Sequence, residues 1–209
     1  MGGCNATAFV CTRSSQTDIY TDLVPSLVLL GLSGNKITDI PVGRLQRYPG
    51  LQSLALDQNL ITRLVTGVFD GLSRLQTLNL HTNPLTLMDA RVLEPLVSLV
   101  TLDLGETTML TYPLGIFSSL LLLEVLDVGT SPTLQSFSPA LFLPDGEPAA
   151  AIEGAAYQPR HTRLRQVNVR LLPKCAADLQ QYRWTVIWPN LTHLYVAPAK
   201  PSHIAPPVL

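Results

Sequence analysis

The sequence predicts a repeat solenoid of α/β, β-rich class, with a curved parallel sheet on its concave face and loops, short helices or 3-10 turns on its convex face. The first observation is a leucine pattern that recurs five times at intervals of 24 residues. The second is the alternation of leucine with other residues early in each repeat, which is typical of a short strand. The third is a content of 17 prolines, which argues against long helices.

The five regular repeats each open with a leucine. Within the strand motif the leucines alternate, so that one face points into the core and the intervening residues point out. A repeat of this length cannot bury its leucines alone, and neighbouring repeats must therefore stack and share a core. The segments read LVLLGLSGNKITDI from Leu27, LQSLALDQNLITRL from Leu51, LQTLNLHTNPLTLM from Leu75, LVTLDLGETTMLTY from Leu99 and LEVLDVGTSPTLQS from Leu123.

A polar residue occupies the ninth position of each repeat, where the chain turns off the strand. It is asparagine in three repeats (Asn35, Asn59 and Asn83), and Thr107 and Ser131 replace it in the next two. An inward asparagine can bond buried backbone groups of adjacent turns, which must be paired. Threonine and serine do this less completely, so we expect a looser ladder in the fourth and fifth repeats.

The second half of each repeat supplies apolar residues that close the core from the outer side. They are core positions and carry no chemistry of their own. They are Phe69, Leu72, Leu93, Leu96, Phe117, Leu120, Leu141 and Phe142.

Beyond Leu143 the period breaks, and the Ala-, Gly- and Pro-rich segment that follows is typical of a loop. LRQVNV from Leu164 and LTHLYV from Leu191 then fit the strand motif again. We therefore predict an N-terminal cap over 1–26, five 24-residue repeats over 27–146, an inserted loop over 147–163, two irregular repeats over 164–196 and a proline-rich tail over 197–209.

This pattern resembles the leucine-rich repeat superfamily, in the 24-residue class typical of extracellular proteins. VTGVFDGLSRLQTLNLHTNPL, from Val65 to Leu85, is most similar to repeats of Toll-like receptors, variable lymphocyte receptors and small leucine-rich proteoglycans. The resemblance covers residues 4–143. It implies a non-catalytic ligand-recognition domain, the ectodomain or a fragment of a receptor, adhesion or matrix protein, located outside the cell or at its surface.

The opening MGGCNATAFVC has two interpretations. The resemblance implies a shortened N-terminal cysteine cap, in which Cys4 and Cys11 form a disulfide. The family usually has two more cysteines upstream. The alternative is acylation of Gly2 and Cys4, which would make the chain a cytosolic, lipid-anchored adaptor or regulator. The myristoylation pattern requires Ser or Thr at position 6, where Ala6 stands.

Two N-x-T sequons, at Asn5 and Asn190, are candidate glycosylation sites and favour the secreted interpretation. The third cysteine, Cys175, has no partner if Cys4 bonds Cys11; we expect a buried inert thiol, and the alternative is a bond to a partner outside this chain.

Enzyme chemistry finds no support in the sequence. The four histidines are far apart, and no HExxH, paired CxxC or GxSxG motif occurs. We therefore expect no catalytic residue, no metal site and no cofactor. A net charge of −1 without a basic block argues against a nucleic-acid partner, and no apolar run is long enough to span a bilayer.

The residues between the strand leucines point out of the concave sheet face, where the core does not dictate them. Their mixed polarity suits a protein or peptide ligand, since Tyr and Arg are favoured interface anchors. We expect Gly105 and Gly129 to leave a shallow hollow beside the acids. The simpler alternative is a solvated face on a structural fragment. The candidate partner-binding residues are Asp57, Asn79, His81, Asp103, Asp127, Arg165, Arg170 and Tyr195.

Overall fold

The computed structural model describes seven parts of the chain. No cis peptide bond occurs in them, and none of their helices is long and apolar enough to cross a membrane. The described parts are residues 7–20, 22–129, 131, 133–144, 160–169, 188–196 and 202–204.

A main sheet of nine strands runs through the molecule, in the order β1-β2-β3-β5-β7-β8-β9-β10-β11, and a second sheet of two strands pairs β4 with β6. The strands are β1 Ala8–Val10, β2 Leu29–Gly31, β3 Ser53–Ala55, β4 Arg63–Leu64, β5 Thr77–Asn79, β6 Leu87–Met88, β7 Thr101–Asp103, β8 Val125–Val128, β9 Gln166–Val169, β10 His193–Val196 and β11 Ser202–Ile204.

Equivalent residues of successive repeats lie side by side in the main sheet. Leu54 pairs with Leu78, Leu78 with Leu102 and Leu102 with Leu126, each 24 residues on. All neighbouring strands are parallel except the last pair, in which β11 runs antiparallel to β10. The predicted parallel-sheet solenoid is confirmed, and we call the solvent-facing side of its main sheet the concave face.

The core lies between the main sheet and the convex side, where the described residues form 3-10 helices at Leu45–Arg47 and Pro139–Phe142. Exposure is 0% at the five inward leucines that pair across the main sheet, which are Leu30, Leu54, Leu78, Leu102 and Leu126. All the outer-side residues predicted to close the core are buried as well, at 4% exposure or less. Burial of these side chains supplies the main stabilisation of the stack, because each removes a large apolar surface from water.

The asparagine ladder forms as the motif predicts in the first three repeats. The Nδ2 of Asn59 donates to the carbonyls of Leu32 and Leu56, both at 2.9 Å, and its Oδ1 accepts from the N–H of Ile37 at 3.1 Å. Asn83 repeats the pattern one turn further on. The side chain thus satisfies backbone groups of two adjacent repeats, which no strand or helix would otherwise pair.

The ladder changes at the fourth and fifth repeats. The hydroxyls of Thr107 and Ser131 bond each other at 3.2 Å. The N–H of Leu85, which by the pattern would donate to a ladder side chain, donates instead to the carbonyl of Asn83 at 2.7 Å. A hydroxyl is shorter than a carboxamide and does not span two turns, so the predicted loosening is confirmed.

The fifth repeat is offset by one residue in its second half. The regular pattern would turn Thr133 and Ser136 inward, but the buried residues are Leu134 and Phe137. Inward placement follows hydrophobicity here, because burying these two apolar side chains is worth more than keeping the register.

The residue before each of the first four ladder positions has a left-handed backbone, which turns the chain off the strand. Glycine adopts this conformation at little cost, whereas the β-branched Thr82 is strained by it. The φ values are 68° at Gly34, 55° at Gln58, 53° at Thr82 and 51° at Glu106.

The two later strand segments, LRQVNV and LTHLYV, form β9 and β10, which extend the sheet beyond β8 in parallel. Most of the inserted loop lies outside the described residues, as do Arg170 and Cys175.

At the N-terminal end, β1 pairs with β2 and the Phe9 ring packs edge-on against Tyr20 at 4.8 Å. Cys11 is a free cysteine whose thiol lies 3.2 Å from the Tyr20 hydroxyl. The predicted disulfide is therefore not confirmed. Its other half, Cys4, lies outside the described residues, together with Gly2 and Asn5.

Candidate binding surface

The pleat of each strand decides which side chains reach the concave face. In β3, β5 and β7 the central leucine is buried and the two flanking residues are half-buried. The predicted binding residues Asp57, Asn79, His81, Asp103 and Asp127 are all half-buried.

Of the three candidates near the C-terminal end, Arg165 is exposed just before β9. Tyr195 has a defined position on β10, next to Asn168 of β9. Arg170 lies outside the described residues.

The middle of the concave face holds a histidine between two carboxylates. The His81 Nδ1 is 3.2 Å from Asp103 Oδ1, and its Nε2 is 3.7 Å from Glu106 Oε2. The hydroxyl of Thr82 donates to the same Glu106 oxygen at 2.9 Å. These contacts join two successive repeats, so the side chains hold one another in place across the strands.

Asp127, which pairs with Asp103 in the sheet register, is bonded through both oxygens. Its Oδ1 accepts the N–H of Gly129 at 2.7 Å, and its Oδ2 accepts Asn168 Nδ2 at 2.8 Å. Burial raises the pKa of Asp127 and the nearby charge of Asp103 adds to the rise, while the two hydrogen bonds oppose it.

Asp103 is held in the same way by its own backbone, since its Oδ1 accepts the N–H of Gly105 at 2.9 Å. Asn79 repeats the arrangement one strand earlier, accepting the N–H of His81 at 3.0 Å. Asn79, Asp103 and Asp127, which lie side by side on β5, β7 and β8, thus each have a side chain fixed by the N–H two residues on. Fixed side chains lose little entropy when a ligand binds.

The hollow expected at Gly105 and Gly129 is absent, and that prediction is wrong. A Cβ built on Gly105 would lie 2.6 Å from His81 Nδ1, and one on Gly129 would lie 2.9 Å from Asn168 Cγ. The side chains of neighbouring repeats fill the space above both glycines. The small residues therefore accommodate the side-chain network and leave no open hollow there.

The N-terminal part of the concave face is less charged. Ser33 donates to Asp57 Oδ1 at 2.6 Å. Val10, 41% exposed, lies over Gly31, whose added Cβ would meet Val10 Cγ1 at 3.3 Å.

Sequence reasoning missed Glu106, Thr82, Ser33 and Asn168 as members of the network. The available signal was the period itself, because Ser33 and Asp57 lie 24 residues apart, as do Thr82 and Glu106. Residues at the same repeat position are neighbours on adjacent strands, and such cross-strand polar pairs interact.

The chemistry of the surface is that of hydrogen-bond and ion-pair recognition. Carboxylates outnumber cations at its centre, so it favours positively charged groups. Within the parts of the chain that the structure describes, no group of three or more His, Cys, Asp or Glu side chains is placed to hold a metal ion.

Comparison with known proteins gives one family. A family model described as Leucine rich repeat matches residues 25–85 and 49–110. No curated protein matches the chain.

Three solved structures share the fold. An internalin, InlF of Listeria monocytogenes, is 21% identical and has a TM-score of 0.62, with 91% of this chain and 47% of that chain covered. The functional domain of InlJ from Listeria monocytogenes, which includes a cysteine ladder, is 22% identical with a TM-score of 0.57, covering 79% and 31%. A chain of the Drosophila Toll–Spatzle complex is 20% identical with a TM-score of 0.58, covering 72% and 18%. The chain spans less than half the length of each of these structures.

Proposed function

We propose that this chain, a member of the leucine-rich repeat superfamily, binds a protein or peptide ligand on its concave face. Members of that superfamily generally serve as non-catalytic scaffolds for protein interaction. The chain recognises that ligand without chemical conversion. The fold alone says little about the ligand, which is decided by the side chains on the face.

The observation that carries this proposal is the fixed polar network at the centre of the concave face. His81, Asp103 and Asp127 are half-buried and held by hydrogen bonds from adjacent repeats. On a face that only contacts solvent, nothing requires side chains to be fixed by the backbone two residues on and by side chains of the next repeat. Such pre-organisation favours binding, because less freedom is lost when the ligand arrives.

The ligand that suits this centre presents Lys or Arg side chains. Carboxylates are supplied here by Asp57, Asp103, Glu106 and Asp127, and the His81 ring nitrogens lie 3.2 Å from Asp103 Oδ1 and 3.7 Å from Glu106 Oε2. Charge complementarity of this kind raises the association rate and selects against acidic partners.

Charge reversal tests the site. The chain would be screened against a panel of purified extracellular domains, and the affinity of each binder would be compared for the native chain and Asp103→Lys. Glu94→Lys is the matched control, because Glu94 is exposed in the outer half of its repeat, away from the main sheet. We expect Asp103→Lys to weaken binding at least tenfold while the control binds normally. Equal affinities for all three chains would sink the concave-face proposal.

For the location, we propose an extracellular or cell-surface protein, as part of a receptor, adhesion or matrix molecule. Support comes from the fold shared with internalins and Toll. The sequon at Asn190 adds to it, since that side chain is exposed in the turn before β10.

The lipid-anchored cytosolic adaptor is the competing proposal. The intact mass of the natural protein, with and without reduction, separates the two. Glycan at Asn190 or Asn5 and a two-hydrogen shift on reduction would support the extracellular protein. An acyl mass at Gly2 or Cys4 without glycan would support the adaptor.

A further inference from the structure

His161 is a buried histidine that the concave surface does not use. It is 2% exposed, and its Nε2 lies 2.9 Å from the carbonyl oxygen of Phe117. Its ring packs edge-on against Phe142 at 5.1 Å. A carbonyl oxygen only accepts hydrogen bonds, so Nε2 carries the proton, and the ring is neutral when Nδ1 is unprotonated.

This histidine lies at the junction between the regular repeats and the last two strands of the parallel stack. Phe117 belongs to the outer side of the fourth repeat, and Phe142 to the 3-10 helix of the fifth. His161 comes five residues before β9. Trp188, 1% exposed, packs on the same Phe142 ring at 4.8 Å from the segment that precedes β10.

We propose that His161 is a proton-sensitive latch: the neutral ring holds residues 160–169 and 188–196, which include β9 and β10, onto the regular repeats, and its protonation releases them. The latch concerns the stability of this junction and does not depend on the proposed ligand.

The environment of His161 opposes a positive charge. Burial lowers the pKa of His161, the hydrogen bond to the Phe117 carbonyl raises it, and the charge of Arg160 lowers it further. Pro139–Phe142 and the segment from Trp188 to Asn190 contain no titratable side chain. On the Phe117 side, burial raises the pKa of the Tyr112 phenol, which therefore stays neutral. Among the described residues, no carboxylate compensates a charge on His161.

The direction of the pH dependence follows from the lowered pKa. The folded junction binds the proton less well than the unfolded segment, whose histidine titrates near about 6.5. The stabilisation is thus complete above that pH and is lost as the pH falls below it, toward the folded pKa. Over this window each pH unit increases the open fraction by up to about tenfold, since one proton is taken up.

Release of the junction would also change the concave face. Asn168 lies on β9 and supplies the hydrogen bond to Asp127 Oδ2 at 2.8 Å. It also fills the space above Gly129. Opening would remove that bond and uncover Gly129. Acid conditions would therefore alter the C-terminal half of the surface while leaving the asparagine-ladder repeats intact.

Intrinsic fluorescence tests the latch directly, because both tryptophans, Trp184 and Trp188, lie in the C-terminal segments. The emission maximum would be followed from about pH 8 to about pH 5, with amide hydrogen exchange of peptides from β3, β5, β7, β9 and β10. We expect a red shift below about pH 6.5 and faster exchange in β9 and β10, with β3, β5 and β7 still protected.

Variants make the assignment specific. His161→Gln keeps a donor for the Phe117 carbonyl but cannot titrate, so its emission should not change with pH. His193→Gln, at an exposed position on β10, should keep the native response. His161→Phe serves as a second non-titrating variant if the glutamine chain fails to fold.

Three results would overturn the latch. The first is the native red shift persisting in a folded His161 variant, and the second is loss of protection in β3, β5 and β7 at the same pH as in β9 and β10. The third is an NMR titration in which the His161 ring protonates above the unfolded value.

Discussion

Replacing a ladder asparagine by alanine should destabilise the chain by an amount that depends on the repeat that carries it. Asn59 bonds the carbonyls of Leu32 and Leu56, but each of these also accepts a bond from the asparagine of a neighbouring repeat. Among the described core groups that bond the Asn59 side chain, Asn59→Ala therefore leaves only the N–H of Ile37 without a partner. One orphaned buried group costs about 1–3 kcal/mol of unfolding free energy.

Asn83 stands next to the place where the ladder changes. The Leu80 carbonyl accepts from Asn83 Nδ2 at 2.8 Å. Within the described residues no other donor reaches it, because the Thr107 hydroxyl bonds Ser131 instead. Asn83→Ala thus orphans two buried groups, the Leu80 carbonyl and the N–H of Ile61. Its cost should be about twice that of Asn59→Ala, or about 2–6 kcal/mol.

Urea unfolding at neutral pH, followed by far-UV circular dichroism, measures both changes as shifts of the midpoint. Asn79→Ala is the control, since Asn79 is half-buried on the concave face and lies outside the ladder. Equal costs for Asn59→Ala and Asn83→Ala, or the absence of any difference from the control, would contradict the difference in orphaned groups.

Three further outcomes are expected. Thr82→Asn should raise the melting temperature, because Asn tolerates the left-handed backbone at φ 53° better than Thr does. The expected gain in unfolding free energy is about 1 kcal/mol, and an unchanged melting temperature would contradict strain at Thr82. Gly105→Ala should displace the His81 ring, which its Cβ would meet at 2.6 Å, and a histidine NMR spectrum identical to the native one would argue against this. The raised pKa of Asp127 means that its protonated form is favoured on folding, so its stabilisation holds below the unfolded pKa and is lost as the pH rises through the folded value. The melting temperature of Asp127→Asn relative to the native chain should therefore increase from acid to neutral pH, and a constant difference would count against the raised pKa.

The candidate site was predictable as a row of positions and not as a network. His81, Asp103 and Asp127 were placed on one face because the 24-residue period puts them on adjacent strands. The bonds from these residues to Glu106 and Asn168 could not be predicted, since side-chain hydrogen bonds depend on rotamers that a repeat pattern does not specify. The same limit explains the wrong expectation at Gly105, where a small residue was taken for empty space.

The fifth repeat marks where pattern reasoning fails in the core. A one-residue offset places Leu134 and Phe137 inward. Sequence alignment to the motif keeps a fixed register, whereas the folded chain follows the burial of its largest apolar side chains.

The solenoid, the strand register and the asparagine ladder are all readable from the amino-acid sequence, because each follows from local periodicity repeated along the chain. The side chains that fill the concave face, and the place where the last strands join the stack, become visible only in the folded chain. Both depend on contacts between residues far apart in sequence, such as Asn168 with Asp127 and His161 with Phe117, which lie 41 and 44 residues apart. No period relates such residues, so their meeting is set by the path of the folded chain.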